Sequence, residues 1–188
     1  RTFVLTFDDG YRSVHTEAFP VLQRLGMTAT VFLTPGAAAA AERLPSLNGR
    51  AMLTWTEIRE MHRAGIAFGA HSLTHPDLTR LPADRVAREI GDARTVVEQR
   101  LGSAVEGFAY PFGRADAQSR QLAAQHYAFA CSDTFGLAGP TSDPWTLPRI
   151  ETLYFRTPAR FALVGSPWFP ACVRAIAAAR ALRRALRP

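Results

Sequence analysis

Asp8 and Asp9 stand side by side where an apolar run ends, and Gly10 follows them. Neighbouring side chains on an extended chain point different ways, so the two carboxylates can hold different jobs, one toward a metal ion and the other toward a water. Gly10 permits a tight turn and close approach of backbone. Alone, Asp-Asp-Gly also describes a solvated turn. The second group with chemical potential is His71-Ser72-Leu73-Thr74-His75. Two imidazoles four residues apart can reach one ion from a helical turn or a tight loop, and Pro76 stops a regular helix from running on. One carboxylate with two imidazoles makes a three-ligand site with an open position, as catalytic zinc sites have. A divalent ion there lowers the pKa of water toward about 7 and polarises an acyl oxygen, so a carboxylate beside it makes hydrolysis near neutral pH feasible. His15, His62 and His126 have no such company and read as helix or surface residues.

The elements that must position these groups alternate between short apolar runs and longer amphipathic stretches, the pattern of parallel strands joined by crossover helices. Strands are expected over 2–7, 28–33, 66–70, 107–110, 128–132 and 147–151, and helices over 14–25, 56–64, 83–101 and 118–125. The third helix is the clearest, with Val86, Ile90, Ala93, Val97 and Leu101 at helical spacing. Thr56 and Glu57 open the second as cap and first-turn acid. Residues 37–41 read as a loop with a short helix and 133–146 as a surface loop. Asp8-Asp9, His71 and Pro111-Phe112-Gly113 all follow expected strands. In α/β sheets and barrels, sites assemble at the carboxyl ends of the strands, so these distant segments are expected to converge.

Composition narrows the function classes. With 188 residues, 47% of them hydrophobic, the chain can bury a sizeable core and reads as one unit. No run of about 18 apolar residues appears, so a soluble chain is expected. The sequence opens at Arg1 inside a strand-like run without Met; an N-terminal piece with a targeting signal or anchor is expected to be missing, which leaves localisation open. The net charge of +6 is lopsided: Arg174, Arg180, Arg183, Arg184 and Arg187, with no Asp or Glu after residue 170, leave +1 for the rest. No basic stripe interleaved with aromatics crosses the body, so nucleic acid is not an expected partner. All 22 basic residues are Arg, which excludes lysine Schiff-base chemistry. Cys131 and Cys172 lie far apart with no CxxC spacing and read as two buried thiols.

Thr6-Phe7-Asp8-Asp9-Gly10, then His71-Ser72-Leu73-Thr74-His75, then Tyr110-Pro111-Phe112-Gly113, in this order, resemble the first three motifs of the NodB-homology polysaccharide deacetylases, carbohydrate esterase family four. The resemblance spans roughly residues 3–151 and includes Leu53-Thr54-Trp55 and Leu147-Pro148-Arg149-Ile150. It implies an α/β fold, a distorted (β/α) barrel, over residues 1–165, with 166–188 as an Arg/Ala-rich helix on the same domain. It also implies removal of N-acetyl groups from an amino-sugar glycan. By position Asp8 would be the general base, and Asp9, His71 and His75 would hold one divalent ion: Zn²⁺, with Co²⁺, Ni²⁺ or Mn²⁺ as alternatives. Tyr110, Pro111, Phe112 and Gly113 would shape the groove, the Phe112 N–H facing the oxyanion. The resemblance points to the cell envelope or the exterior, with the cytoplasm still open.

The sequence departs from the family in two places. The third motif often carries an Arg that steadies the base, and the matching residue here is Ala109. Arg149, at the end of an expected strand, is the substitute. The family often supplies a catalytic acid from a late Leu-x-His motif, and no His follows His126. The acid is therefore unassigned: either Asp8 shuttles the proton, or a missing segment supplies the acid, or activity is lost, and a catalytically impaired carbohydrate-binding module, or a hydrolase of another amide or ester, stands as the alternative. Residues 168–188 read as a helix packing Val173, Ile176 and Leu182 on the barrel with its arginines solvated; a membrane-surface helix is the less favoured reading. The oligomeric state is left open.

Overall fold

The structure is a computed structural model and describes residues 3–36 and 41–185. Six strands, β1 (Thr6–Phe7), β2 (Thr30–Leu33), β3 (Ala67–Ala70), β4 (Gly107–Ala109), β5 (Phe129–Phe135) and β6 (Leu147–Arg149), pair in chain order, every pair parallel. Parallel neighbours need a crossover. A π-helical turn (Val14–Ala18) with α1 (Phe19–Arg24), then α2 (Trp55–Arg63), α3 (Ala83–Leu101) and α4 (Ala117–His126), supply the first four crossovers and the helix-free segment 136–146 the fifth, which leaves the carboxyl ends of all strands on one side.

The sheet is curled. A flat sheet would hold its edge strands β1 and β6 about 24 Å apart, five spacings of about 4.8 Å. Instead Arg149, at the end of β6, donates to Asp8 just past β1 and to Thr6 within it. The result is an incompletely closed barrel whose seam between β1 and β6 is bridged by side chains. Strand pleat sorts the residues. Val31, Leu33, Phe68, Ala70, Phe108 and Ala130 belong to the main core with Ile58 and Met61 of α2 and Val86, Ile90, Ala93 and Val97 of α3. Phe32, Ala109 and Cys131 form a second cluster, with Phe129 and Leu147 against it. The aromatic rings fit because two strand positions have no side chain. A Cβ on Gly69 would lie 2.5 Å from the Phe32 ring, and one on Gly107 2.5 Å from that of Phe129.

Several elements differ from the sequence expectation. The helix at 56–64 begins at Trp55, and its cap is Thr54, not Thr56: the Thr54 hydroxyl accepts from the Glu57 amide while the Glu57 carboxylate accepts from the Thr54 amide. That pairing needs Glu three residues after the cap, and only Thr54 satisfies it. Thr56 instead donates to Glu42. The helix at 14–25 opens with the π-helical turn, and β5 runs on to Phe135, into what reads as a loop. The short helix expected at 37–41 lies, apart from Ala41, outside the described residues. A 3₁₀ turn (Thr152–Phe155) and α5 (Pro158–Phe161) precede α6 (Phe169–Ala185). Val173 is buried against Phe135 and Phe155, with Ile176 half-buried beside it, but Leu182 is 62% exposed. Leu182 follows Val173 by nine residues, two and a half turns, so it faces the opposite way. Cys131 is buried as expected, Cys172 only partly, and both are free thiols.

Replacing Gly69 by Ala should destabilise the fold by about 1–3 kcal/mol, because the added methyl meets the Phe32 ring and the Gly107 carbonyl. Urea unfolding of the variant reads this directly, and a wild-type midpoint would contradict the packing described.

Candidate active site and metal centre

Asp8 and Asp9 follow β1 directly, and the chain turns sharply there: Asp9 has φ 73°, Gly10 φ 81°, and the Gly10 amide donates to the Asp8 carbonyl. Gly10 is required by contact as well as by φ, since a Cβ would lie 2.6 Å from Leu44. His71 follows β3, and the loop it opens contains Ser72 at φ 61° and His75 at φ 63°. With Phe112 at φ 58°, four of the five described non-glycine residues in the left-handed region belong to this one place. Such residues cost about 1–3 kcal/mol each and persist where surrounding bonds determine them.

The turns bring three possible ligands together. Asp9 Oδ1 lies 3.4 Å from His71 Nε2 and 3.3 Å from His75 Nε2, and one donor atom from each residue falls within 4.8 Å of the others. The His71 Nδ1 sits 2.7 Å from the Ala109 carbonyl, which can only accept. Nδ1 therefore carries a proton, and Nε2 is the nitrogen turned toward Asp9, the one a metal would take from the neutral ring. Burial would raise the Asp9 carboxyl, but hydrogen bonds and charge from His71 and His75 outweigh it and hold the group well below the usual carboxylate range. These three residues could hold a metal ion.

A carboxylate that sequence reasoning passed over fixes this loop. Glu89, 4% exposed on α3, accepts from the Thr74 amide (2.8 Å) and the Thr74 hydroxyl (2.6 Å), and its own carbonyl accepts from Leu73. The Ser72 hydroxyl accepts from the His75 amide, and the Leu73 carbonyl accepts from Gly36. The signal was present: Glu89 lies between Val86 and Ile90 on the buried stripe of its helix, where a charge needs partners.

Asp8 points the other way from Asp9, into the seam. Arg149 donates Nη1 to Asp8 Oδ1 (2.7 Å) and Nη2 to Oδ2 (2.8 Å), while its Nε donates to the Ser132 carbonyl. Burial works against the guanidinium charge, but Asp8 more than offsets it and raises the Arg149 pKa. The guanidinium also lies over the Phe32 ring. Ala109 packs on the same ring, so a long side chain at 109 and the Arg149 side chain would compete for one space.

A cavity of about 350 Å³ adjoins this pair, lined by Asp8, Phe112, Asp133, Arg149, Glu151 and Arg180 among others. Phe112 is 56% exposed and meets the His75 ring edge-on, 4.8 Å between centroids. Gly113 lies flat on Asp133, where a Cβ would come within 2.1 Å. Pro111 and Tyr110 are buried, and the Tyr110 hydroxyl donates to the Trp145 carbonyl, so these two support the groove from beneath. Burial raises the Tyr110 pKa. The remaining histidines stand elsewhere: His15 pairs with Glu60, His62 with Ser103, and His126 packs beside Gly91. A smaller cavity of about 220 Å³, lined by His62, Phe68 and Phe129 among others, contains none of the candidate site residues.

Glu89→Ala should lower divalent-ion affinity about 10- to 100-fold through the loosened loop, with Glu89→Gln, which keeps one acceptor, in between. Calorimetric titration of the metal-free protein measures it; undiminished affinity in a folded Ala variant would remove Glu89 from this role.

Comparison with known proteins matches residues 1–128 to the model of the polysaccharide deacetylase family. The chain is 26% identical over 151 residues to YxkH of Bacillus subtilis, covering 80% of this chain and 48% of that one, so it spans about half of that relative's length. It is 31% identical over 103 residues to the peptidoglycan-N-acetylmuramic acid deacetylase PdaA of the same organism, covering 54% of this chain and 34% of that one. Among solved structures, the Streptococcus pyogenes deacetylase PplD in complex with acetate superimposes with a TM-score of 0.77 at 27% identity, covering 87% of this chain and 70% of that one. On its motifs, its curled parallel sheet and a family match over more than two thirds of its length, the chain belongs to the polysaccharide deacetylase family.

Proposed function

We propose that the chain is the catalytic part of a metal-dependent N-deacetylase acting on an N-acetylated amino-sugar glycan. The observation that carries this reading is the convergence of Asp9, His71 and His75 beside an Asp8 that Arg149 holds at the edge of an open cavity. Asp9, His71 and His75 would hold one divalent ion, Zn²⁺ or alternatively Co²⁺, Ni²⁺ or Mn²⁺. Bound there, such an ion supplies acidification of water and polarisation of the acetyl oxygen.

The protein's own groups do the rest. Each carboxylate oxygen has two lone pairs, and Arg149 uses one on each, so Asp8 keeps acceptor capacity for the proton of the attacking water. The bidentate contact also fixes the carboxylate plane. The Phe112 N–H, turned by its left-handed backbone, would donate to the oxygen that gains charge, and a donor of this kind is worth about 10²–10³ in rate. Asp8, once protonated, is placed to hand its proton to the leaving amine. The PdaA likeness supports a glycan N-acetyl substrate, and the likeness to PplD in complex with acetate supports deacetylation.

Metal-reconstituted protein should release acetate from N-acetylglucosamine oligomers or from peptidoglycan fragments. Asp8→Asn should lower kcat by about 10²–10⁴ with metal stoichiometry unchanged. Arg149→Ala should lower kcat far more than it weakens metal binding, and wild-type turnover in that variant would refute its positioning role. Stoichiometric metal without acetate from any glycan would replace this reading with a carbohydrate-binding module on the same fold.

A further inference from the structure

Helix α6 has two apolar sides. Its inner side sets Phe169, Val173, Ile176 and Ala177 against Phe135, Tyr154 and Phe155. On its outer side Trp168, Ala171, Ala175, Ala178 and Leu182 recur at intervals of three or four residues, which aligns them in one stripe. All five are exposed, Trp168 to 74%. Trp168 starts the stripe, its carbonyl accepting from the Cys172 amide. A helix docked on a domain ordinarily turns charged residues outward. Just ahead of it, Phe161 and Val164 are exposed as well.

The segment that carries the stripe has charge of one sign. From residue 152 onward the sequence holds seven arginines and no Asp or Glu. Arg180 is tied inward to Glu151 and Tyr154, while Arg156, Arg160, Arg174 and Arg183 are exposed. By helical angle Arg174 and Arg183 flank the stripe on its two sides.

We propose that this face, the outer stripe of α6 with the turn before it, rests on an anionic lipid surface. Trp is favoured at the level of the headgroups, a shallow apolar stripe can sit at the acyl boundary, and the flanking guanidinium groups meet the lipid charge. The contact is interfacial: no helix among the described residues is long and apolar enough to cross a membrane. A soluble polyanion would use the arginines but not Trp168 or Leu182. A second copy would use the stripe but set arginine against arginine. Arg180 lines the active-site cavity from the other side of the same helix, so the bound protein holds that cavity about one helix diameter, ~10 Å, from the lipid.

Co-sedimentation of the full chain with vesicles tests this, using phosphatidylcholine alone and phosphatidylcholine with roughly a third phosphatidylglycerol. Binding should occur with the anionic vesicles only and weaken in high salt. Trp168→Ser with Leu182→Ser should abolish it, and Arg174→Gln with Arg183→Gln should weaken it about 30-fold. Circular dichroism should be unchanged in both, since all four side chains are exposed. Absence of binding at low salt, or equal binding by these variants, overturns the proposal. A dimer that the Trp168/Leu182 variant makes monomeric, without vesicle binding, assigns the stripe to a second copy. Equally tight binding to a soluble polyanion, kept in the Trp168/Leu182 variant, assigns the arginines to that partner.

Discussion

The ion pair between Arg149 and Asp8 joins two edges of one sheet. β1 and β6 are the first and last strands and share no strand pairing in the sheet, so what spans their seam is a guanidinium seated on a carboxylate. Each partner is only partly exposed, and a charge left alone there would be costly, which couples the curl of the sheet to the position of the carboxylate. Architecture and site therefore depend on one contact. The curl brings β1 and β6 close enough for it, and the contact holds Asp8 facing the cavity.

On the other side of Asp9 the controlling feature is backbone rather than charge. Asp9, Ser72 and His75 occupy left-handed conformations that their side chains disfavour, and the loop from Ser72 to His75 is held by side-chain bonds from within and from α3. Glu89 takes both donors of Thr74, Ser72 takes the His75 amide, and the Ala109 carbonyl holds His71. Three strands and α3 thus contribute to placing three donor atoms. Their agreement gives the local strain its meaning.

Much of this was legible in the sequence. The strands read as short Val-, Phe- and Ile-rich runs because parallel strands buried on both faces are apolar almost throughout, and their ends carried the polar residues that converge. Asp9, His71 and His75 were legible from residue type and spacing. Arg149 was legible as the residue steadying Asp8 because the third-motif arginine is replaced by Ala109 and Arg149 ends an expected strand; the contact itself, 141 residues apart in sequence, forms only once the sheet curls. Glu89 went unread because a helical pattern was traced through its apolar members, and the one carboxylate on that stripe was passed over. The Thr54 cap was missed by two residues because Thr56 precedes an acid directly, whereas the reciprocal bond needs Glu three residues on. Leu182 was assigned to the core by its type, while its angle on the helix turns it outward.

The bonds that set the histidine loop are all internal to the protein. Glu89 with Thr74, Ser72 with His75 and His71 with Ala109 form from the chain alone, and none uses the ligand atoms that face Asp9. A small zinc domain whose ligands are gathered by the ion folds only when the ion arrives, so its folding and loading are one event. Here the three candidate ligands are brought together by bonds the chain makes with itself. On the proposed reading, taking up an ion would be a step apart from folding, because the chain's own bonds already set the places of the three donor atoms.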